Sequence, residues 1–417
     1  MSILKRAKAH SFATLLSGMV LGHLVAILFL PLFTHFFTPE MFGVFSYYAY
    51  FTAFLSGPIT LGYESQITNG KDDDDTYKLV NLVLYLSLSL GGLLAVLVLW
   101  PIYSHIEEIK YPFIFACLTF VSASLANLLS AKQFLCVRNE KYNALSLSNF
   151  VNHGGRSGSQ FFFGWMSLSP LGMVFGDIVG RMAAISSLAY RNFSLRRILR
   201  FTSFAQMRQT MHGYRSDTLW YMGGALVEMV ITWFPFLAIS TLYGVKEGGI
   251  AAMVIRLFLV PSGIVGKVIA DLYHGSVNNK QGVLSGFGWS LPRYVLTLIL
   301  AGSTVLVLVG WYAFYLLGQP WILAYIPIEW RPMYGYSLLL VPTLIIHLSS
   351  QAFARYAIMK GLNRLKFVTY FSLLLSLAGL YVYAIVYPMP IEQMLVAYTV
   401  ISIVWHAVYC VLNLVKK

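Results

Sequence analysis

From about residue 13 to residue 413 the chain is a succession of apolar stretches, each about 20 residues long, separated by short polar breaks. A helix of that length crosses the hydrocarbon core of a bilayer, and a chain in lipid must satisfy its backbone polar groups internally. The pattern therefore restricts the fold to a bundle of membrane-spanning helices. With 58% hydrophobic and only 11% charged residues, a soluble globule of 417 residues is excluded.

Windows of about 20 apolar residues place twelve spans. Six lie at roughly 13–37, 41–62, 78–100, 112–134, 143–165 and 170–190, and six at roughly 218–243, 247–270, 294–317, 335–358, 366–387 and 391–413. Lys5, Arg6 and Lys8 precede a first stretch that runs to Phe37 without a small-residue cleavage site, which reads as a retained span. Thr38-Pro39-Glu40 reads as N-cap, first-turn proline and first-turn acid of the second span. The three cysteines, Cys117, Cys136 and Cys410, lie in or beside apolar segments and suggest neither disulfides nor a metal site. The nine histidines show no metal-ligand spacing, and no nucleotide-binding motif or cofactor signature is present.

With the N-terminus in the cytoplasm, 22 of the 29 basic residues fall on inner segments or the inner ends of spans. The outer loops hold only Lys110, Lys246 and Arg331. This asymmetry puts both termini inside and supports the span count, because one missed span would invert every later loop. Arg191, Arg196, Arg197, Arg200, Arg208 and Arg215 gather in the central loop. The acidic run Asp72–Asp75 reads as a solvated inner loop. The longest outer loop, about 318–334, carries Trp321 and Trp330, expected as interfacial aromatic anchors.

Gly43 and Gly57 recur as Gly249 and Gly263 at a shared offset of 206 residues, with Ser56 matching Ser262. The offset spans six helices, an even number, so both copies insert the same way up. The expected fold is all-α: twelve transmembrane helices in two six-helix lobes, 1–190 and 217–417, related by a parallel pseudo-repeat around a central cavity. The basic cytoplasmic segment 191–216 links the lobes.

Four basic residues, Arg156, Arg181, Arg256 and Lys267, fall inside spans. A charge at the bilayer centre costs about 2.5–3.5 kcal/mol even on the insertion scale. Each must be hydrated, paired or used to bind an anion. Asn149, Asn152, His153, Arg156 and Gln160 follow helical steps of three and four, a polar stripe that faces protein or a wet cavity. The structural alternative is an interhelical hydrogen-bond network with close packing at Gly154, Gly155 and Gly158. It accounts for the glycines and asparagines but not for an arginine in the middle. Asp177 and Arg181 are four apart, as are Lys267 and Asp271. Lys267 can also snorkel to the inner interface. If both pairs close, Arg156 and Arg256 are left with Glu228, and the membrane-embedded charge sums to +1. A cationic cavity and an anionic substrate follow as the simplest reading.

Pro31, Thr38-Pro39-Glu40, Phe42-Gly43 and Tyr63-Glu64-Ser65-Gln66-Ile67 resemble the start of Wzx-type O-antigen and lipid-linked oligosaccharide flippases, in the multidrug/oligosaccharidyl-lipid/polysaccharide exporter superfamily. Leu242-Tyr243-Gly244 through Arg256, Pro261 and Gly263 are similar to that family's second half. Gly62 departs from the family's Arg-Tyr-Glu triplet, while Glu64 is retained. The resemblance implies a bacterial inner-membrane transporter that moves undecaprenyl-diphosphate-linked glycan from the inner to the outer leaflet by alternating access. Its implied partners are membrane lipids, a polysaccharide polymerase and a chain-length regulator, with no nucleic acid. Arg156, Arg256, Arg181 and Lys267 are then the substrate-binding cations of the cavity, beside the polar stripe. Arginines there replace lost hydration of a diphosphate with charge-assisted hydrogen bonds. Asp177, Glu228, Asp271 and Glu64, with His153, are candidates for coupling to a proton or sodium gradient. A structural or scaffold role leaves the buried charges unexplained, and two further competing readings remain. A membrane polymerase or ligase would need a sizeable outer loop for its chemistry, and 318–334 offers only Glu329 and Arg331 as charged groups. A multidrug exporter of cationic drugs would favour an acidic cavity.

Overall fold

The structure, a computed structural model, describes residues 31–139, 141–167, 169–189, 203–259 and 363–415, with shorter stretches between 18 and 29 and between 308 and 350. The described residues are helical, without a strand. Six helical segments among them are long and apolar enough to cross a membrane: Asp73–Ser104, Pro112–Arg138, Pro170–Leu188, Met222–Tyr243, Arg364–Val386 and Ile391–Leu412. Most of the ninth and tenth spans lies outside the described residues.

After helical residues of the first span, ending at 36, come α1 (Pro39–Leu55), α2 (Asp73–Leu94, continuing through a π-helical turn to Ser104), α3 (Pro112–Arg138), α4 (Tyr142–Trp165) and α5 (Ser169–Ala189). A short α6 (Phe204–Gly213) leads to α7 (Arg215–Tyr243) and α8 (Val245–Val254, running into a π-helical turn Ile255–Leu259). The chain closes with α9 (Asn363–Val386) and α10 (Ile391–Val415). The chain divides into two compact units. One holds His10–Phe37 and Val44–Met229; the other holds Thr38–Gly43 and Val230–Lys417.

The helices depart from unbroken spans where the sequence supplies a reason. The Thr38 hydroxyl accepts the Met41 N–H (3.3 Å), the expected cap of α1. But α1 stops at Leu55, short of the expected 62. Pro58 lacks an N–H and disfavours helix at the residue before it, and Gly57 there takes φ +60°. The freed backbone groups are met by one buried side chain. Asn127 of α3 accepts the Gly57 N–H (3.1 Å) and donates to the Leu55 carbonyl (3.3 Å) and Ser87 Oγ (2.8 Å). Beyond the break, Arg138 donates to the Gly70 (2.6 Å) and Thr68 (3.4 Å) carbonyls.

The acidic run is not a loop. Asp72 caps α2 by accepting the Asp75 N–H (2.6 Å), and Asp73, Asp74 and Asp75 occupy its first turn, where carboxylates favour the positive helix end. The central basic segment is part helix: α6 buries Met207 against α2, Tyr63 donates to the Met211 carbonyl (3.0 Å), and Tyr214 donates to Asp75. Arg191, Arg196, Arg197 and Arg200 lie outside the described residues.

In the other unit, Thr38–Gly43 meets the start of α8 with almost no space between backbones. A Cβ at Gly43 would collide with the Val245 carbonyl oxygen, and one at Gly249 with the Pro39 carbonyl oxygen. Trp330, expected as an interfacial anchor, is only 1% exposed and packs edge-on against Phe42, 5.7 Å between centroids. Trp321 lies outside the described residues. Tyr370, His406 and Tyr409 form a buried cluster between α9 and α10.

Candidate functional site

α4 has the length of a span at 24 residues but is not among the six apolar crossings, because its polar stripe lowers its hydropathy. Its main neighbour is α5. The approach is permitted by α5, whose Gly176 and Gly180 are four residues apart. A Cβ at Gly180 would stand 2.7 Å from the Arg156 backbone nitrogen, and one at Gly176 would stand 2.6 Å from that of Gln160. The glycines expected to mediate packing behave differently. A Cβ at Gly158 would meet nothing within 4 Å, and those at Gly154 and Gly155 would make ordinary contacts of 3.9 and 3.8 Å.

This crossing places Arg156 on Asp177. Arg156 Nη2 lies 2.5 Å from Asp177 Oδ1, while Arg181 Nε donates to Oδ2 at 3.0 Å. The Tyr48 and Ser122 hydroxyls also donate to Oδ2, at 2.8 and 2.9 Å. The i,i+4 pair of Asp177 and Arg181 closes as expected, but Arg156 is not left over for Glu228: it shares the same carboxylate. The sequence offers no local sign of this, because the contact depends on the glycine seam of a different helix. Two guanidiniums on one carboxylate leave a net +1, with 23% and 15% of the arginine side chains exposed. Both oxygens of Asp177 are thus engaged by guanidiniums.

The rest of the stripe is distributed among neighbours. Gln133 of α3 donates to Asn149 (3.0 Å), Gln160 donates to the Met173 carbonyl of α5 (3.0 Å), and His153 lies against His23 of the first span. The interhelical network considered from sequence is therefore present at these positions. Asn152 Oδ1, Arg156 Nε and Ser157 Oγ are buried without a protein hydrogen-bond partner among the described residues, which gives this face capacity for a polar ligand.

Arg256 sits in the π-helical turn after α8, its guanidinium 5.9 Å from the Phe42 ring centroid, a cation–π contact. Glu228 is half-buried on α7. Lys267 and Asp271 lie outside the described residues. Glu64 stands apart from the arginines, in the helical turn Tyr63–Gln66, where it accepts a hydrogen bond from Thr60. Burial pushes its carboxyl above the usual range, with the Thr60 hydroxyl pulling the other way. The Gly62 departure has a backbone reason: φ is +76° there, left-handed, which an arginine would adopt only with strain.

Sequence reasoning missed Tyr48, Ser122 and Asn127, ordinary residues within apolar runs whose roles appear only once the helices are packed. It also counted Lys132 with the inner ends of spans. That lysine is buried on α3, 6% exposed, its Nζ donating to the Ile185 carbonyl of α5 at 3.3 Å.

The arrangement is one of apolar, membrane-spanning helices around a buried cationic cluster. Solved structures share the fold across nearly the whole chain. An inward-facing multidrug resistance MATE family transporter of the MOP superfamily aligns with TM-score 0.65 at 13% identity, covering 97% of this chain and 92% of the other. An outward-facing conformation of such a transporter aligns with TM-score 0.62 at 14% identity, covering 97% and 94%. A MOP superfamily transporter from Pyrococcus furiosus, described as having a binding pocket of reverse polarity, aligns with TM-score 0.60 at 12% identity, covering 97% and 94%. No curated protein matches the sequence significantly. The polysaccharide biosynthesis protein family matches residues 9–271, and the chain belongs to that family.

Proposed function

We propose that the protein is a flippase for undecaprenyl-diphosphate-linked oligosaccharide, an O-antigen or related surface-polysaccharide repeat unit. It carries this lipid from the inner to the outer leaflet of the bacterial plasma membrane by alternating access, with both termini cytoplasmic. The observation that carries the reading is the net-positive Arg156–Asp177–Arg181 cluster on adjoining helices of a polysaccharide biosynthesis family member. A diphosphate crossing a low-dielectric interior needs fixed charge-assisted donors to replace its hydration, and guanidiniums suit phosphate oxygens. Asp177 holds the two guanidiniums in place, and the surplus charge remains for the ligand. The glycan requires no charge of its own. The same fold carries multidrug transport in its relatives, but a cationic drug would meet repulsion at this cluster.

The test is deletion in the host followed by complementation. Wild-type protein restores surface glycan, and its absence traps lipid-linked repeat units inside. Arg156→Ala and Arg256→Ala, expressed at wild-type levels, lose most of that surface glycan, while the lysine replacements retain part of it. Normal glycan with both alanine variants would remove the cationic-site mechanism. A deletion strain with normal glycan and an altered drug-resistance profile would favour multidrug export.

A further inference from the structure

α6 is fastened to the end of α2 at which that span begins, and so to the level where the bundle meets the membrane surface. Met207 shares a buried cluster with Leu79, Val80 and Val83 of α2, Tyr214 donates to Asp75 in the first turn, and Tyr63 donates to the Met211 carbonyl. Met207, Thr210 and Met211, at helical steps of three and four, form the covered side of α6. Phe204, 70% exposed, and Arg208 and His212, each one turn further on, form a second line that the protein leaves uncovered. Between this line and the Tyr63–Gln66 turn runs an open groove of about 700 Å³, whose walls include Tyr63, Phe204, Arg208, Gln209, Met211 and His212. That volume is ligand-sized. Among the described residues no carboxylate lines the groove; Asp72–Asp75, at the same end of α2, are not part of its walls. Nor do the side chains of Arg208, Gln209 and His212 make an ion pair or hydrogen bond with any described residue.

We propose that this groove binds the phosphate headgroup of an anionic phospholipid, with the Phe204 ring among the acyl chains. The lipid belongs to the leaflet where α2 begins, the inner one by the charge asymmetry of the loops. A guanidinium matches phosphate oxygens, and the Gln209 amide and the His212 ring bring further N–H donors to the same wall. The occupant is a bilayer lipid rather than a free anion because the groove is not cationic alone. An exposed phenylalanine beside an arginine, on a helix at the membrane surface, combines an apolar body for the acyl boundary with a charge for the headgroups. The lipid is anionic because a zwitterionic headgroup brings its own ammonium towards an arginine with no carboxylate to receive it, and so forfeits part of the attraction. The central basic segment is thereby held on both sides of α6, by α2 and Tyr63 on one and by lipid on the other. The Arg156–Asp177–Arg181 cluster is not part of this groove, so the site stands whatever the protein transports.

The experiment is native mass spectrometry of the full chain, released from detergent after titration with dioleoyl phosphatidylglycerol or dioleoyl phosphatidylcholine. A phosphatidylglycerol with a photoreactive headgroup, crosslinked in vesicles, locates the site. Wild-type protein should retain one phosphatidylglycerol in preference to phosphatidylcholine, and the crosslink should fall within 204–213 or 63–66. Arg208→Gln should weaken retention about fivefold, the effect of one cation at an anionic surface, and Arg208→Lys should weaken it less. Phe204→Ser should weaken retention of the dioleoyl lipid while leaving the crosslinked position unchanged. Both side chains are exposed, so the unfolding temperatures of these variants should match wild type. Equal retention of the two lipids, a crosslink elsewhere, or wild-type retention by both Arg208→Gln and Phe204→Ser overturns the proposal. Displacement of the lipid by millimolar inorganic phosphate overturns it in favour of a soluble-anion site. Displacement by a prenyl diphosphate at lower concentration overturns it in favour of an entry site for a transported lipid.

Discussion

Neutralising Asp177 tests whether this carboxylate is the keystone of the α4–α5 crossing. Asp177→Asn preserves shape but removes the charge on which Arg156 and Arg181 both rest. Breaking a buried ion pair by removing one partner costs about 3–5 kcal/mol. The arginine side chains keep 23% and 15% exposure, so part of the stranded charge is relieved by water. An effect near the low end, about 3 kcal/mol, is therefore expected. At roughly 2–4 °C per kcal/mol, Tm should fall by about 6–12 °C. Arg156→Gln leaves Asp177 paired with Arg181, Tyr48 and Ser122, and should cost only about 1–2 kcal/mol. Combining Asp177→Asn with Arg156→Gln and Arg181→Gln strands no charge and should recover most of the loss, by the logic that replacing a whole buried ion cluster is far milder than breaking it. The assay is thermal unfolding followed by tryptophan fluorescence in one detergent. The argument is refuted if Asp177→Asn is no less stable than Arg156→Gln, or if the triple variant is the least stable of all.

Three further outcomes follow from the packing. Gly180→Ala presses a methyl into the Arg156 backbone and should cost about 1–3 kcal/mol, whereas Gly158→Ala, with open space around it, should stabilise by about 0.4–1 kcal/mol; Tm values of the two variants check the contrast. Asn127→Ala removes three hydrogen bonds, two of them at the break after α1, and should cost about 2–3 kcal/mol, with faster amide exchange at Gly57 than at the α3 core. Glu64 carries a folded-state pKa raised by burial, so its contribution to stability falls as pH rises from the unfolded carboxylate pKa through the folded one. Glu64→Gln should then raise Tm at neutral pH and leave it nearly unchanged at acid pH; a drop at neutral pH would show that the carboxylate has a cationic partner.

How much of this was legible in the sequence depended on the range of the interaction. Hydropathy, caps and i,i+4 spacing are local, so the helical class, the Thr38 cap and the Asp177–Arg181 pair were readable. The stripe on α4 was readable as a face, but periodicity says only that residues share a side, not which helices cover it. Arg156 looked isolated because its counter-charge lies 21 residues away in sequence, on α5. Gly176 and Gly180, flanking that aspartate, were the available clue, since such spacing marks where two backbones come together. The acidic run was misread for the opposite reason: four aspartates look solvated anywhere, yet a helix start is where they are most favourable. Trp330 was judged by residue type, but its burial is decided by Phe42, far away in the chain.

The contacts at Gly43 and Gly249 are reciprocal in the numbering as well as in space. Position 43 meets 245, and 249 meets 39, so each glycine meets the counterpart, one repeat away, of the residue met by the other. Both approaches are made by the same two helix turns. A side chain added at either glycine lifts the turns apart and loosens both approaches together. Two glycines distant in the chain are thus one hinge pin: neither position can be relaxed alone, and a second substitution at the other should cost far less than the first.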